Sequence, residues 1–219
     1  VDLIAPFVDT ERYAPRPARS RPPGQARLLT VSRLAGGERY KGHDLVLEAM
    51  VRLQAATPPV PELEYWIAGA GDDRPRLEQL TRSLGVSART RFLGRVPDAD
   101  LPQLYNDCDV FVMPSWVAEV TPGRWTGEGF GIVYAEASAC EKPVLGCTEG
   151  GQVDVIQNGV TGRLVSPTVE DVAQGIRDIL TDPAAAQRMG QAGRAWVTSR
   201  FTWPHFVAQW QQMLEQSRT

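Results

Sequence analysis

Short apolar runs alternate along the chain with segments of helical period, and this alternation constrains the fold more than any other feature. Six runs of four to six residues have the length and branched side chains of buried strands, at residues 28–32, 63–68, 90–94, 109–113, 143–146 and 162–165. Helical patterns lie at about 43–56, 74–84, 101–105, 132–140 and 172–180, and two more follow before Gln216. Strands that alternate with helices predict a parallel sheet with helices on both faces, the doubly wound, Rossmann-like α/β class.

Local signals define the ends of several elements. Pro58 and Pro59 are expected to stop the first helix, and Asp98 is the predicted N-cap of the helix at 101–105. The run at 109–113 is nearly all apolar, which predicts a central strand because parallel strands are buried on both faces. The stretch at 114–131 is expected to be a polar loop.

Residues 1–27 differ in texture from the rest of the chain. They carry five Pro and five Arg without sustained periodicity. Because proline fixes φ and removes a backbone donor, we expect a linker or extended lead-in. The chain begins with Val1, and this segment is interpreted as the inside of a longer protein. The predicted organisation is a lead-in over 1–27, from an N-terminal domain outside this sequence, followed by one domain over 28–219.

Composition excludes several classes of function. The 23 Lys and Arg against 26 Asp and Glu leave a net charge of −3, which argues against nucleic acid and against a polybasic membrane anchor. No apolar run approaches the roughly 20 residues of a membrane span. Three Cys and two His without metal-ligand spacing argue against zinc and favour reduced, intracellular thiols.

Two basic residues follow the first predicted strand. Arg33 comes directly after the strand and Lys41 lies just before the first helix. A guanidinium and an ammonium there can hold an anion against a helix N-terminus, whose free amides already favour negative charge. The alternative is two exposed basic residues on a loop. Neither a Gly-x-Gly-x-x-Gly pattern nor a Walker-type Lys is present, which weakens the dinucleotide and P-loop hypotheses.

The stretch from Gly127 to Glu136 carries the strongest chemical signal. Its three glycines at 127, 129 and 131 allow close approach of the backbone to a ligand, and the loop opens directly into a helix. Glu136, about one turn inside that helix, can accept both hydroxyls of a ribose. The alternatives are a solvated Glu128 and a helix-face charge at Glu136. The apolar neighbours of Glu136 favour a bound partner, because a buried carboxylate requires one.

A further glycine turn, Gly150-Gly151, precedes a short helical segment at 152–156, and another turn follows at 158–162. This pattern is compatible with a purely structural role or with a further ligand loop.

In order and spacing, these pieces resemble the C-terminal, donor-binding half of retaining GT-B glycosyltransferases, in the Glu-x7-Glu family (glycosyltransferase family 4, group 1). The resemblance covers about residues 28–205. The matching segments are Val31-Ser32-Arg33 with Lys41-Gly42, Gly69-Ala70-Gly71, Phe92-Leu93-Gly94-Arg95-Val96, Met113-Pro114-Ser115, Glu128-Gly129-Phe130-Gly131 with Glu136, Gly150-Gly151 with Gly162, and Arg200-Phe201-Thr202-Trp203. Val1-Asp2 with Phe7 also resembles the segment that leads into this domain.

The resemblance implies a role for each matching residue. Arg33 and Lys41 would neutralise the donor diphosphate and the departing nucleotide, and are grouped with Glu128 as catalytic. Glu136 would hold the ribose hydroxyls, and Glu128 the hydroxyls of the donor sugar. The remaining donor-binding residues would act largely through their backbone: Gly71, Arg95 and Val96 (the last two at the base edge), and Gly129, Phe130, Gly131 and Ile132 around the diphosphate and sugar.

The resemblance further implies hexosyl transfer with retention from a nucleoside-diphosphate sugar, UDP- or GDP-linked, with no metal and no other cofactor. The acceptor site would belong to the N-terminal domain of the same enzyme, so this chain alone is expected to bind nucleotide and to transfer little or no sugar. A cytoplasmic location follows from where nucleotide sugars occur, and the N-terminal half leaves room for peripheral membrane association.

Two departures from the family pattern stand out. Asp154 occupies a position where many relatives have Glu. The stretch between Trp116 and Gly127 is longer than a minimal family loop, and its Arg124 and Trp125 can contact the acceptor, contact the partner domain, or cap the site.

Two alternatives from other classes remain. A non-catalytic Rossmann-like scaffold would share the fold without the chemistry, since fold does not imply function. A phosphorylase or nucleotide-sugar epimerase would require a pyridoxal-phosphate lysine or a Tyr-x-x-x-Lys pair, and neither is recognised in the sequence.

Overall fold

The computed structural model describes residues 5–57 and 59–216. Pro58, a predicted helix stop, and Val1 and Asp2 of the lead-in lie outside the described residues. The strands are Gln25–Val31 (β1), Glu62–Ala68 (β2), Thr90–Gly94 (β3), Val110–Val112 (β4), Ala118–Thr121 (β5), Arg124–Thr126 (β6), Val144–Cys147 (β7) and Gly162–Val165 (β8). The α-helices are His43–Gln54 (α1), Arg74–Ser83 (α2), Leu101–Asp107 (α3), Ile132–Ala139 (α4), Gln152–Val155 (α5), Val169–Thr181 (α6), Pro183–Arg200 (α7) and Trp203–Gln216 (α8). Two 3₁₀ turns cover Gly36–Lys41 and Ser87–Arg89.

The six predicted strands form one parallel sheet, in the order β3-β2-β1-β4-β7-β8. β4 lies between β1 and β7, as its apolar composition predicts. The chain moves outward from β1 to β3 on one side and then crosses to β4 on the other. The point where the order reverses is therefore the boundary between β1 and β4.

The sheet is buried on both faces, and alternate residues of each strand face opposite cores. One core contains Leu28, Ile67 and Val112 with residues of α1, α2 and α6. The other contains Trp66 and Phe111 with residues of α3, α4 and α7. β4 and β7, which are buried throughout, therefore appear in the sequence as continuous apolar runs, whereas the edge strand β3 is only partly buried.

The predicted lead-in packs against the domain. The backbone N–H of Val8 donates to the carbonyl of Phe201 at 2.7 Å, and Tyr13 is buried. The backbone N–H of Arg19 donates to the Asp107 carboxylate at 2.7 Å, and Arg21 makes a bidentate pair with Asp109. β1 begins at Gln25, so the last three residues of the predicted lead-in belong to the sheet.

The prediction of Asp98 as N-cap is wrong. Residues 98–100 form a turn, and Asp100 is the residue that precedes α3. The helix begins at Leu101 and has Pro102 in its first turn, where a missing N–H costs nothing.

The expected polar loop at 114–131 contains an antiparallel hairpin of β5 and β6. Its residues are mostly exposed, with Val120 and Trp125 at 59% and 62% accessibility. A hairpin without a buried face carries no apolar alternation, which is the signal that reveals strands in a sequence.

Candidate functional site

The motif residues lie at the carboxyl edge of the sheet, where ligands bind in open α/β sheets. Gly42 has a positive φ of 82°, and a Cβ there would lie 2.5 Å from the carbonyl oxygen of Pro114. The backbone N–H of Trp116 donates to the carbonyl of Tyr40 at 3.0 Å. The segment before α1 is thereby held against the end of β4, across the β1–β4 boundary.

Lys41 and Glu128, two predicted catalytic residues, form an ion pair. The Nζ of Lys41 lies 2.5 Å from Oε2 of Glu128, and each side chain is 13% exposed. These residues are 87 positions apart in the sequence. The pair joins the segment before α1 to the glycine loop before α4.

Arg33 occupies a different environment. Its side chain is 79% exposed and its guanidinium pairs with Glu38 on the 3₁₀ turn. Arg33 therefore lies on the same edge of the sheet as Lys41, while its ion pair is with a local carboxylate and not with Glu128. It remains accessible to an incoming anion.

The glycine loop ends in the free N-terminus of α4. Gly131 precedes the helix with a φ of 81°, and no side chain caps the helix amides. A Cβ on Gly131 would lie 2.5 Å from the ring of Tyr134, so a side chain does not fit at this position. The ring of Phe130 packs against that of Phe201 with centroids 5.3 Å apart. The loop is thus fixed in shape while the first amides of α4, from Ile132 onward, stay available.

The Gly150-Gly151 turn packs against the glycine loop at 127–131. The backbone N–H of Gly151 donates to the carbonyl of Glu128 at 2.8 Å. A Cβ on Gly151 would lie 1.8 Å from the carbonyl oxygen of Gly129. These contacts favour a structural role for Gly150-Gly151, and Asp154 is exposed on α5.

Glu136 lies on α4 beside two tyrosines. The hydroxyl of Tyr105 donates to Oε2 of Glu136 at 2.6 Å, and the side chain of Tyr13 lies beside the same carboxyl group. Burial raises the pKa of the Glu136 carboxyl above its ordinary value, and the two tyrosines oppose that rise. The predicted partly buried carboxylate is therefore present and hydrogen-bonded.

The predicted base-edge residues follow β3. Arg95 is exposed, and Val96 is partly buried against the core. Gly71 lies at the neighbouring strand end, where a Cβ would be 2.0 Å from the carbonyl oxygen of Leu34. Gly71 accordingly permits its own loop to pack closely against the loop that carries Arg33 and Leu34.

A buried chain of hydrogen bonds at the same edge was missed by sequence reasoning. His43 Nε2 lies 2.9 Å from the hydroxyl of Ser32, and Nδ1 lies 3.0 Å from the hydroxyl of Tyr65. The Tyr65 hydroxyl is 2.7 Å from that of Thr30, which donates to the carbonyl of Val112. Burial lowers the pKa of His43 to about 4, so the imidazole is neutral at pH 7. The sequence signal for this hydrogen-bonded chain was the presence of a His directly after Lys41-Gly42.

An open cleft of about 550 Å³ lies over the glycine loop. It is lined by Pro6, Phe7, Glu128, Phe130, Gly131, Ile132 and Phe206. In the part of the chain that the structure describes, no group of three or more His, Cys, Asp or Glu side chains is arranged to hold a metal ion. Within the same residues, no helix is both long and apolar enough to cross a membrane.

Comparison with known proteins assigns these features to a family. The family described as glycosyl transferases group 1 matches residues 14–196. This chain belongs to that family. The predicted membership of the group 1 glycosyltransferases and the parallel, Rossmann-like GT-B class are therefore confirmed, and glycosyltransferase membership disfavours the scaffold alternative.

Curated glycosyltransferases resemble the chain over most of its length. A GDP-mannose-dependent alpha-(1-6)-phosphatidylinositol monomannoside mannosyltransferase of Mycolicibacterium smegmatis is 34% identical over 211 residues, 93% of this chain and 53% of that protein. A glycogen synthase of Mycobacterium tuberculosis is 34% identical over 204 residues, 93% of this chain and 45% of that protein. The chain thus spans about half the length of the curated relatives it matches.

Solved structures share the fold of this glycosyltransferase chain. Sucrose-phosphate synthase from Thermosynechococcus elongatus has a TM-score of 0.80 and 27% identity, covering 98% of this chain and 52% of that one. The HepE protein of Anabaena, solved with UDP and glucose, has a TM-score of 0.75 and covers 97% of this chain and 55% of that one. Its 23% identity makes it evidence for the fold alone.

Proposed function

We propose that this chain is the donor-binding domain of a retaining glycosyltransferase of the Glu-x7-Glu type, which transfers a hexosyl group from a nucleoside-diphosphate sugar. The observation that carries the proposal is the ion pair of Lys41 and Glu128 beside the uncapped N-terminus of α4, the helix that also carries Glu136, in a member of this family.

The diphosphate would bind between Lys41, the exposed Arg33 and the first amides of α4. These groups supply positive charge where negative charge develops on the departing nucleotide, and stabilising that charge is the largest contribution most transferases require. The same cations and dipoles would perform the work that a metal ion performs elsewhere. We therefore propose metal-independent transfer, with no cofactor beyond the donor.

Glu128 would accept hydrogen bonds from the donor sugar close to the anomeric carbon, with Gly129, Phe130, Gly131 and Ile132 shaping the pocket. Lys41 already orients this carboxylate. Glu136 would accept both ribose hydroxyls, and the backbone of Arg95 and Val96, with Gly71 nearby, would contact the base. The GDP-mannose dependence named for the mycobacterial relative makes a GDP-linked hexose the first donor to test, with UDP as the second.

The acceptor site belongs, in this proposal, to an N-terminal domain of the same enzyme. The isolated chain would then bind nucleotide and perform little or no transfer, and multiple turnovers by the chain alone would contradict this. We place the enzyme in the cytoplasm, where nucleotide sugars occur, with its other half able to hold it at a membrane surface.

Calorimetric titration of the chain with GDP, UDP and ADP tests the proposal. One nucleotide should bind selectively, and Glu136→Ala should weaken it by about 1–3 kcal/mol, the contribution of hydrogen bonds to a charged group. Glu48→Ala is the matched control, since Glu48 is an exposed glutamate on α1. Unchanged affinity in Glu136→Ala contradicts the ribose assignment, and a chain that binds none of the three nucleotides favours a scaffold.

A further inference from the structure

Two phenols from distant parts of the chain lie beside Glu136. Tyr105 lies on α3, is fully buried, and donates to Oε2 of Glu136 at 2.6 Å. Tyr13 belongs to the lead-in before β1, is 7% exposed, and lies beside the same carboxyl group. The two rings meet edge to face with centroids 5.8 Å apart. Three separate segments therefore converge on one carboxylate.

Hydrogen bonds within the lead-in and to the domain fix the position of Tyr13. The carboxylate of Asp9 accepts hydrogen bonds from the backbone N–H groups of Glu11 and Arg12 at 3.1 and 3.0 Å. The backbone N–H of Tyr13 donates to the carbonyl of Asp9 at 2.9 Å, and its carbonyl accepts from Arg194 at 3.2 Å. These hydrogen bonds fix the position of the backbone and therefore of the Tyr13 phenol. A side chain that served only to fill apolar space would require burial alone.

A phenol has an advantage over a cation as a partner for Glu136. It donates one hydrogen bond without neutralising the carboxylate, so the negative charge stays available to a ligand. An ionised carboxylate has about four acceptor positions. Tyr105 takes one of them, and a second donation from Tyr13 would leave two.

We propose that Tyr13 and Tyr105 are positioning residues that both donate to Glu136 and hold it as an oriented anion, whose two remaining acceptor positions receive the 2′- and 3′-hydroxyls of a ribose. This inference rests on the proposed function, because it takes a nucleotide as the ligand of the crevice. It adds the lead-in, which the sequence predicts as a linker, to the proposed nucleotide site.

The lead-in also reaches the proposed base-edge loop. Arg12 donates to the carbonyl of Asp98, three residues after Arg95, and its guanidinium lies 5.4 Å from the centroid of the Tyr13 ring. The charged and titratable groups that face the cluster are Arg12 from the lead-in, Asp98 from the loop after β3, and Cys140 from the end of α4. Arg12 favours the anionic form of Glu136, and Asp98 opposes it.

The test compares the ribonucleotide that binds with its 2′-deoxy analogue, in the wild type, Tyr105→Phe, Tyr13→Phe and Glu136→Ala. The wild type should prefer the ribonucleotide by tenfold or more. Each Phe variant, which keeps its ring, should reduce that preference about threefold to tenfold while the affinity for the deoxy analogue changes little. Tyr65→Phe removes a buried phenol hydroxyl elsewhere and should leave the preference as it is in the wild type.

A second measurement needs no nucleotide. NMR titration of the ¹³C-labelled carboxyl group of Glu136 should show a higher pKa in Tyr105→Phe and in Tyr13→Phe than in the wild type, because each variant loses a hydrogen bond to the anion. A merely structural tyrosine would not move this value. If Tyr105→Phe fails to fold, Tyr13→Phe carries both measurements, since Tyr13 belongs to the lead-in and to no strand or helix.

The outcomes separate the inference from the proposed function. Loss of the ribose preference in Glu136→Ala, with the preference and the carboxyl pKa unchanged in both Phe variants, overturns the inference and leaves the proposed function intact. A ribose preference that survives in Glu136→Ala overturns the ribose assignment itself. Shifts in both Phe variants toward the values given above support the inference.

Discussion

Where we propose that the diphosphate binds, Lys41 is ion-paired with Glu128, whereas at the proposed ribose end Glu136 is hydrogen-bonded by the neutral Tyr105, with Tyr13 beside it. The first arrangement joins opposite charges, so a diphosphate bound there would compete with Glu128 for the ammonium. The second leaves the carboxylate with free acceptor positions. On the proposed binding mode, one end exchanges partners when the donor binds, while the other receives its ligand without rearrangement.

The largest effect is expected where opposite charges depend on each other. Lys41→Met leaves Glu128 largely buried without its cation, which should lower the free energy of unfolding by about 2–3 kcal/mol. This expected loss is smaller than the loss typical of breaking a fully buried ion pair, because each of the two side chains is still 13% exposed. Urea unfolding of Lys41→Met, Glu128→Gln and the double variant measures the coupling. The double variant should recover most of the loss, and purely additive losses would show that the pair contributes no coupling.

A smaller loss of stability is expected from Gly151→Ala, which tests whether the Lys41–Glu128 end and the Glu136 end of the site are independent. Gly151→Ala would place a Cβ 1.8 Å from the carbonyl oxygen of Gly129 and so displace the loop that carries Glu128. We expect a loss of about 2 kcal/mol in the free energy of unfolding, within the range for overpacking. Gly129→Ala is the stability control, because nothing lies within 4 Å of a Cβ there. The preference for ribonucleotide over deoxynucleotide should persist in Gly151→Ala, and its loss would mean that the two ends are not independent.

The smallest effect belongs to the ribose end. The raised pKa of Glu136 in the folded state means that its contribution to stability is fully present below its ordinary pKa and is lost as pH rises through the folded-state value. Glu136→Gln cannot titrate, so its stability relative to the wild type should be higher at neutral pH than in acid. Thermal unfolding at pH 4 to 8 measures this difference. A variant whose deficit grows toward neutral pH would indicate that the charged form is stabilised by folding.

The sheet could be predicted from the sequence because of how its strands are buried. The central strands β4 and β7 are buried throughout, so each appears as a continuous apolar run. The segment that follows β1 places Arg33 and Lys41 at the carboxyl edge of the sheet. The hairpin of β5 and β6 lacks a buried face and leaves no such pattern. The cap at Asp100 was misplaced because two aspartates lie within three residues and only the position of Pro102 distinguishes them.

The contacts of the site could be predicted only in part. Lys41 and Glu128 are chemically obvious candidates, yet their pairing depends on a crossing between segments 87 residues apart. Tyr13 and His43 act through partners on other elements, and neither belongs to a local motif that names those partners. The polar side chains that anchor the lead-in, such as Arg21 to Asp109, likewise meet only after the sheet has formed.

The place of β4 beside β1 has a consequence for how the chain is made. Thr30 and Val112, which contact each other across this boundary, are separated by 82 residues, whereas β1, β2 and β3 pair in sequence order. Long-range pairing of this kind slows folding, and the edge of β1 remains open on the growing chain until β4 has emerged from the ribosome. The crevice therefore forms late in synthesis, and on the proposed function a nucleotide could stabilise only those chains that already contain β4 and the glycine loop that follows it.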